Sequence, residues 1–324
     1  MSYKVLVTEA IHPKGMAFLI DNGYDVRMGT GIAEEVVVRE AGGCDAILTR
    51  NAVISERVMR ASRPLKVVAM HGVGVDLIDV QAATRMGIQV VNAKDSNKMA
   101  VAEFTIGLMV ALSRNILLYD KELRRGNWQI RHTLGMDLEG RTLGIIGMGA
   151  IGTLVAKKAV HGFSMRVLAY KRDFKDAAAI EGVRYTSNLD EVLRAADFIS
   201  LHVPYTSGTK KMIGARELSI MKPGAFFINT ARGEVVDSQA LYEALRDKKL
   251  AGAALDVFPG GKPDESDPLF DLPNVILTPH AAAFSEQSVS RMSLHAALGI
   301  HEVLSGQTPT WPVNAPMQPE LVMG

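Results

Sequence analysis

Gly147, Gly149 and Gly152 stand in G-x-G-x-x-G spacing and mark the first place where this chain could do chemistry. Gly147 permits a tight turn out of a strand, Gly149 lets a pyrophosphate approach the backbone, and Gly152 lets a helix pack close to a sheet. The amides and partial positive charge at the start of such a helix hold phosphates. A second set of polar residues follows directly on apolar runs: His202, Arg232, Asp256 and His280. In open parallel sheets ligands bind at the carboxyl ends of strands, which is where these four would sit. A third group is Tyr170, Lys171 and Arg172, at a position where an NAD enzyme usually carries an acid for the adenosine ribose. An acid there would repel the extra phosphate of NADP, whereas Lys171 and Arg172 would pair with it. NADP is therefore favoured over NAD, with Asp173 keeping NAD open.

The elements that position these groups read clearly. Leu143–Ile146 is a short apolar strand, Ala150–Val160 carries apolar residues at helical intervals, and Met165–Ala169 is a second strand. Strand, glycine turn, helix and strand together form one dinucleotide-binding unit. Upstream, strands at Val5–Thr8, Asp25–Met28, Ala46–Thr49, Leu65–Met70 and Ile88–Val91 alternate with helices at Pro13–Ile20, Ala33–Ala41, Ser55–Ala61 and Asp79–Met86. Ser55 is placed to cap the third of these helices. The alternation implies a doubly wound parallel sheet. A single long helix is expected from Lys98 to Arg124, apolar most of the way round through Val101, Phe104, Leu108, Leu112 and Ile116. Such a helix is buried between domains or subunits, which points to a homodimer. Further strands follow at Phe198–Leu201, Ala225–Asn229, Gly252–Leu255 and Val275–Thr278, and then a helix at Ser285–Leu304. That last helix can cross back to the first domain. The expected division is a discontinuous substrate domain of 1–97 plus 288–324 and a dinucleotide domain of 98–287, with substrate in the crevice between them.

A chain of 324 residues with 48% hydrophobic content is large enough for two cores. The net charge of +1 implies no nucleic-acid or acidic-surface partner. Cys44 is the single cysteine, fitting a reducing compartment and a place in the core. The N-terminal residues read as a strand and lack a signal-peptide layout, and no apolar run reaches membrane-spanning length. A soluble cytoplasmic protein is expected. No His/Cys/Asp cluster has metal-ligand spacing, so no metal is expected.

The segments LKVVAMHGVGVDLIDVQAATRMGIQVVN, VAEFTIGLMVALSRNI, GMGAIG, FFINTARGEVVDSQAL, ALDVF and NVILTPH occur in that order over nearly the whole chain. In these segments the sequence resembles the NAD(P)-dependent D-isomer-specific 2-hydroxyacid dehydrogenases, which include phosphoglycerate dehydrogenase and glyoxylate/hydroxypyruvate reductase. The resemblance implies an α/β protein of two doubly wound parallel sheets, a Rossmann-type cofactor domain inserted into a flavodoxin-like substrate domain. It implies that Arg232 binds the substrate carboxylate and polarises the keto oxygen, a task suited to a guanidinium fork. It implies that His280 is the acid/base, since an imidazole with an ordinary pKa of about 6.5 can give and take a proton near neutrality. Val73 and Gly74 resemble the loop whose amides hold the carboxylate, and His71 is a candidate to line the pocket. Asp256 resembles the residue that orients the nicotinamide carboxamide, and His202 sits near the cofactor. The implied cofactor set also takes in Thr105, Ala150, Ile151, Val203, Pro204, Thr209, Thr230 and Ala231 beside the three glycines, Lys171 and Arg172.

The sequence departs from the family pattern in two places. A glutamate three residues beyond the Phe of ALDVF usually partners the catalytic histidine, but here Gly261 falls in its place and Lys262 replaces the following proline. Asp264 and Glu265 are the acids nearby. A carboxylate partner raises a histidine's pKa, so its loss should lower that of His280. Leu77 stands where the family commonly has Asn. The reading that emerges is an oxidoreductase interconverting a small 2-keto acid and its D-2-hydroxy acid, with glyoxylate or hydroxypyruvate favoured. The alternatives are NAD-dependent phosphoglycerate oxidation, without the regulatory C-terminal domain for which the chain is too short, and a nucleotide-binding sensor or co-repressor that has lost catalysis.

Overall fold

A computed structural model describes residues 2–173 and 179–317. The chain divides into two compact units, 1–97 with 284–324, and 98–283. Residues 318–324, assigned from sequence to the first domain, lie outside the described residues.

The first unit holds five parallel strands: β1 (Lys4–Val7), β2 (Asp25–Met28), β3 (Ala46–Thr49), β4 (Val67–Met70) and β5 (Gln89–Asn92). Their order is β2-β1-β3-β4-β5, the flavodoxin-like arrangement. Side chains alternate between faces, as the pleat requires. Leu6, Ile47, Val68 and Val90 pack to one side with Val37 and Val58. Val5, Val7, Leu48, Val67 and Ala69 pack to the other with Leu19, Ala296, Ala297 and Ile300. The last three belong to the helix Glu286–Leu304, so the end of the chain completes this core. Ser55 accepts a hydrogen bond from the Val58 amide and caps the helix Glu56–Ala61. Downstream, Asn314 Oδ1 accepts from the Val90 amide at 2.7 Å and its Nδ2 donates to the Ile88 carbonyl at 3.0 Å, which ties the tail beside β5.

The second unit holds seven parallel strands: β6 (Thr142–Ile146), β7 (Arg166–Tyr170), β8 (Val183–Thr186), β9 (Phe198–Leu201), β10 (Ala225–Asn229), β11 (Leu250–Leu255) and β12 (Val275–Leu277). Their order is β12-β11-β10-β9-β6-β7-β8. Winding reverses between β6 and β9, the switch point at which a Rossmann-type sheet opens its ligand crevice.

The long helix expected over Lys98–Arg124 is two helices, Lys98–Ser113 and Ile116–Arg124, bent by 59°. Asn115 causes the break: it takes the left-handed conformation at φ +54 and donates from Nδ2 to the Leu134 carbonyl at 3.1 Å. Asn is one of the few residues that adopts this conformation readily. Ala102, Ile106, Met109 and Leu112 of the first helix are buried in the core beneath β6, β10 and β11. The second helix buries no residue, and Ile116, Leu117 and Leu123 are about half exposed. Ile116 therefore does not continue the buried stripe. Among the described residues no single helix is long and apolar enough to cross a membrane.

Candidate active site

Parallel β6 delivers the glycine turn. Gly147 has φ +104, and a Cβ there would lie 2.5 Å from the His202 carbonyl oxygen and 2.8 Å from Val203 Cγ1. Only glycine fits between β6 and the residues leaving β9. Gly149 is the N-cap of the helix Ala150–Phe163, and a Cβ there would meet nothing within 4 Å. Having no side chain, it leaves the first-turn amides, Ala150 and Ile151 among them, to an external acceptor. A Cβ at Gly152 would lie 2.2 Å from the Gly147 carbonyl oxygen, so the helix could not approach the turn with any other residue there. This geometry fits a dinucleotide pyrophosphate. Lys171 and Arg172 come directly after β7, the neighbour of β6, and the Lys171 amide donates to the Thr186 carbonyl at 3.1 Å.

His202 leaves β9 with its Nε2 2.9 Å from the Ser200 hydroxyl. Burial pushes its pKa down to about 4, so the ring is neutral at physiological pH. Pro204 is exposed, and Thr209 folds this loop by donating to the Pro204 carbonyl at 2.7 Å and accepting from the Thr206 amide at 2.8 Å. Its hydroxyl is thus used inside the loop.

At the end of β10, Asn229 braces the turn that carries Arg232. Its Oδ1 accepts from the Ala231 amide at 3.0 Å and its Nδ2 donates to the Arg232 carbonyl at 2.9 Å. Arg232 itself is half-buried, and its Nη1 donates to the Ala231 carbonyl at 2.7 Å. Gly233 presses against Phe258 and Pro259, and Glu234 Oε1 accepts from the Gly260 amide at 3.0 Å. The arginine turn and the turn after ALDVF are fastened together. Thr230 is buried and pairs at 3.0 Å with the hydroxyl of Thr105. Thr105 is wholly buried and also bonds back to the Val101 carbonyl, as helix threonines do. It therefore supports Thr230 from below.

Asp256 follows directly on β11. Its side chain is wholly buried and both carboxylate oxygens are engaged. Oδ1 accepts from the Thr278 hydroxyl at 2.6 Å and the Ala281 amide at 2.7 Å, and Oδ2 accepts from the Ala282 amide at 2.9 Å. It lies under the His280 turn. His280 is exposed at the end of β12 with φ +54. Strands β10, β11 and β12 are neighbours. At the usual interstrand spacing, the roots of Arg232 and His280 stand roughly 10 Å apart at one edge of the sheet.

Gly260 and Gly261 both have positive φ, at +74 and +88. Neither acid beyond them turns back into a partner's place. Asp264 accepts from the amide and hydroxyl of Ser266, and Glu265 is 90% exposed, 3.6 Å from Lys262.

In the first unit, Val73 is exposed and its carbonyl accepts from Asn92 Nδ2 at 2.7 Å, which shapes the Val73–Gly74 loop after β4. Leu77 packs partly into the core of this unit. His71 is buried, with 5% exposure, and among the described residues neither ring nitrogen has a hydrogen-bond partner. Burial, and then the Arg50 cation, push its pKa down to about 4. Sequence reasoning missed Asn229, Ser200, Glu234 and Thr278. Asn229 and Thr278 each precede a recognised residue by two or three positions, the spacing at which a side chain folds back on its own turn.

Comparison with known proteins gives a consistent result. The sequence model of "D-isomer specific 2-hydroxyacid dehydrogenase, NAD binding domain" matches residues 106–282. The D-3-phosphoglycerate dehydrogenase of Methanocaldococcus jannaschii is 39% identical over 99% of the chain and 61% of its own length. The glyoxylate reductase of Korarchaeum cryptofilum is 38% identical over 97% of the chain and 96% of its own length. The chain thus spans about three fifths of the phosphoglycerate dehydrogenase it matches and nearly all of the glyoxylate reductase. Among solved structures, an NADPH-dependent glyoxylate/hydroxypyruvate reductase of Sinorhizobium meliloti, in complex with NADP and malonate, superposes with a TM-score of 0.86. It is 29% identical and covers 97% of each chain.

Proposed function

Because the chain belongs to the D-isomer-specific 2-hydroxyacid dehydrogenase family, we propose that it reduces a small 2-keto acid to the D-2-hydroxy acid, or runs the reverse. The nicotinamide supplies or takes the hydride at C2. Arg232 holds the carboxylate and polarises the keto oxygen, since its fork matches two oxygens at once. His280 gives the proton to that oxygen and recovers it in the reverse direction. The amides of Val73 and Gly74 add donors for the carboxylate. The observation that supports this reading is the strand order, in which β10 and β12, the strands before Arg232 and His280, flank β11 in the sheet that bears the glycine turn.

Glyoxylate and hydroxypyruvate are the favoured substrates, supported by the full-length likeness to the glyoxylate reductase. NADPH is the favoured cofactor, supported by Lys171 and Arg172 after β7. Oxidation of phosphoglycerate with NAD is the second reading, favoured by the 39% identity to a phosphoglycerate dehydrogenase. A homodimer is supported by the half-exposed Ile116, Leu117 and Leu123 together with exposed Trp128 and Leu134. Sedimentation at equilibrium tests it, and a monomer would reject it. The buried free thiol of Cys44 suits the cytoplasm.

The decisive experiment is a panel of keto acids and phosphoglycerate with both cofactors, followed at the nicotinamide absorbance. Turnover of glyoxylate or hydroxypyruvate with NADPH is expected. Turnover of phosphoglycerate alone selects the second reading. Cofactor binding with no turnover on any substrate selects a nucleotide sensor.

A further inference from the structure

We infer that Asn92 is a positioning residue for the loop that receives the substrate carboxylate, turning the Gly74 amide outward by holding the Val73 carbonyl from behind. The inference rests on the role given to Val73 and Gly74 under Proposed function. Asn92 is the last residue of β5, beside Met70 at the end of β4. Its Nδ2 donates to the Val73 carbonyl at 2.7 Å, and its Oδ1 accepts from the Lys94 amide at 3.2 Å. The second bond fixes which way the side-chain amide is turned, because only its oxygen can take an N–H group. One residue on, the Ala93 amide donates to the Gly72 carbonyl at 2.8 Å. Two successive loop carbonyls are thus drawn to the end of β5. In a trans peptide the N–H points opposite to the C=O. The Val73 and Gly74 amides therefore face away from β5, and among the described residues neither donates to a protein acceptor. Adjacent outward amides of this kind make a cradle for an anion.

The two carbonyls are held by different means. Backbone holds Gly72, whereas a side chain holds Val73. The platform beneath them is firm. The Asn92 amide donates to the Trp311 carbonyl at 3.3 Å and the Val313 amide to the Val90 carbonyl at 2.8 Å, so β5 lies between β4 and the tail. The far end of the loop is fixed as well, by the Ile54 amide on the Leu77 carbonyl at 2.8 Å and the Ile78 amide on the Val75 carbonyl at 2.9 Å. Loss of the Asn92 donor frees the Val73–Gly74 peptide to rotate without unseating either strand. A rotated peptide turns its N–H away from the acid. The substrate carboxylate keeps its charge throughout hydride transfer, so bonds to it act alike in the ground state and the transition state and show in KM.

The test uses the whole protein as Asn92→Ser and Asn92→Asp. Serine keeps a hydroxyl that accepts from the Lys94 amide but is too short to reach the Val73 carbonyl. Aspartate keeps the shape and the acceptor and sets a second oxygen against that carbonyl. The readouts are kcat and KM on the best keto acid, NADPH affinity by fluorescence titration, and the Val73 and Gly74 amide resonances by NMR, with oxalate titrated as the carboxylate probe. KM is expected to rise about fivefold in Asn92→Ser and about tenfold or more in Asn92→Asp, with oxalate affinity falling by the same factors. Expected kcat stays within about threefold of wild type and NADPH affinity within about twofold. The Gly74 resonance shifts and broadens more than that of Val73, whose peptide the Ala93 amide still holds. A Gly74 resonance that stays at its wild-type place in the variants would overturn the inference, as would a moved one at unchanged KM and oxalate affinity. A tenfold fall in kcat at unchanged KM would also overturn it, and a lower melting temperature as the sole change would reduce Asn92 to a fold residue. If Asn92→Asp does not fold, Asn92→Ser decides alone, because it preserves the Lys94 turn. If the wild type turns over no keto acid, the proposed function fails, and the Gly74 resonance still decides whether Asn92 sets the loop.

Discussion

Replacing His71 by leucine should change how the protein responds to acid. The imidazole is buried, neither nitrogen is hydrogen-bonded among the described residues, and its pKa is about 4 against an ordinary 6.5. Burial is the main cause and the Arg50 cation adds to it, with His12 adding slightly; the backbone at His71 and then the Glu9 carboxylate oppose it. A base whose folded pKa lies below its unfolded value takes up its proton first in the unfolded chain. Its neutral form therefore supports the fold fully above pH 6.5, and this support is lost as the pH falls towards 4. The difference amounts to about 2 kcal/mol at pH 5 and about 3 kcal/mol once the pH is below 4. A leucine of similar volume has no proton to gain, and removing an unpaired buried polar group is close to neutral or stabilising near pH 7. The assay is urea unfolding near pH 7.5 and pH 5, followed by the fluorescence of Trp311, which lies in the same unit and stacks on His295 at 4.1 Å. A Trp128→Phe background leaves Trp311 as the single indole. The wild type should lose about 2 kcal/mol more than His71→Leu over this interval. Equal losses in the two proteins would refute a neutral, proton-refusing His71.

Other expectations follow from the same geometry. His280→Gln should lower kcat by roughly 10²–10⁴-fold with little change in keto-acid KM, since a general acid acts in the transition state; an unchanged kcat in steady-state assays would remove His280 from the chemistry. Lys171→Ala with Arg172→Ala should reduce kcat/KM for NADPH about tenfold or more and leave that for NADH nearly unchanged, because charge-assisted contacts to a phosphate are lost. Equal effects on both cofactors would show that these residues do not read the phosphate. Gly261→Glu should carry the reduction to higher pH, because a carboxylate near an imidazole favours its charged form. It should also cost about 1–2 kcal/mol in thermal unfolding, since position 261 has φ +88. A pH profile identical to wild type would show that the new carboxylate does not act on His280.

The parts of the fold that could be read from sequence share one property. β2, β3, β9 and β10 were legible to the residue, the last three because strands buried on both faces are unbroken apolar runs. Ser55 and Ser285 were legible as helix starts because a capping hydroxyl acts locally. β8, with its VRYT sequence at the sheet edge, lacks an apolar run and was not visible. The break at Asn115 was hidden because a single left-handed asparagine leaves no composition signal, unlike a Gly or Pro. Candidate site residues were visible by type at strand ends, but their burial was not. The burial of Thr105 and Asp256, and their bonds to Thr230 and the His280 turn, come from tertiary packing that a string of letters does not carry.

The helix Glu286–Leu304 supplies Ala296, Ala297 and Ile300 to a core whose strands lie within the first 92 residues. On the ribosome those strands emerge long before their cover does. The inserted residues 98–283 contain every strand of their own sheet and can fold while synthesis continues. The amino-terminal sheet must wait, with Val5, Leu48 and Val67 covered only in part by the helix Pro13–Asp21, until residue 304 leaves the exit tunnel. A nascent chain stalled before that point would carry a finished nucleotide-binding module and a half-covered apolar sheet for chaperones to shield.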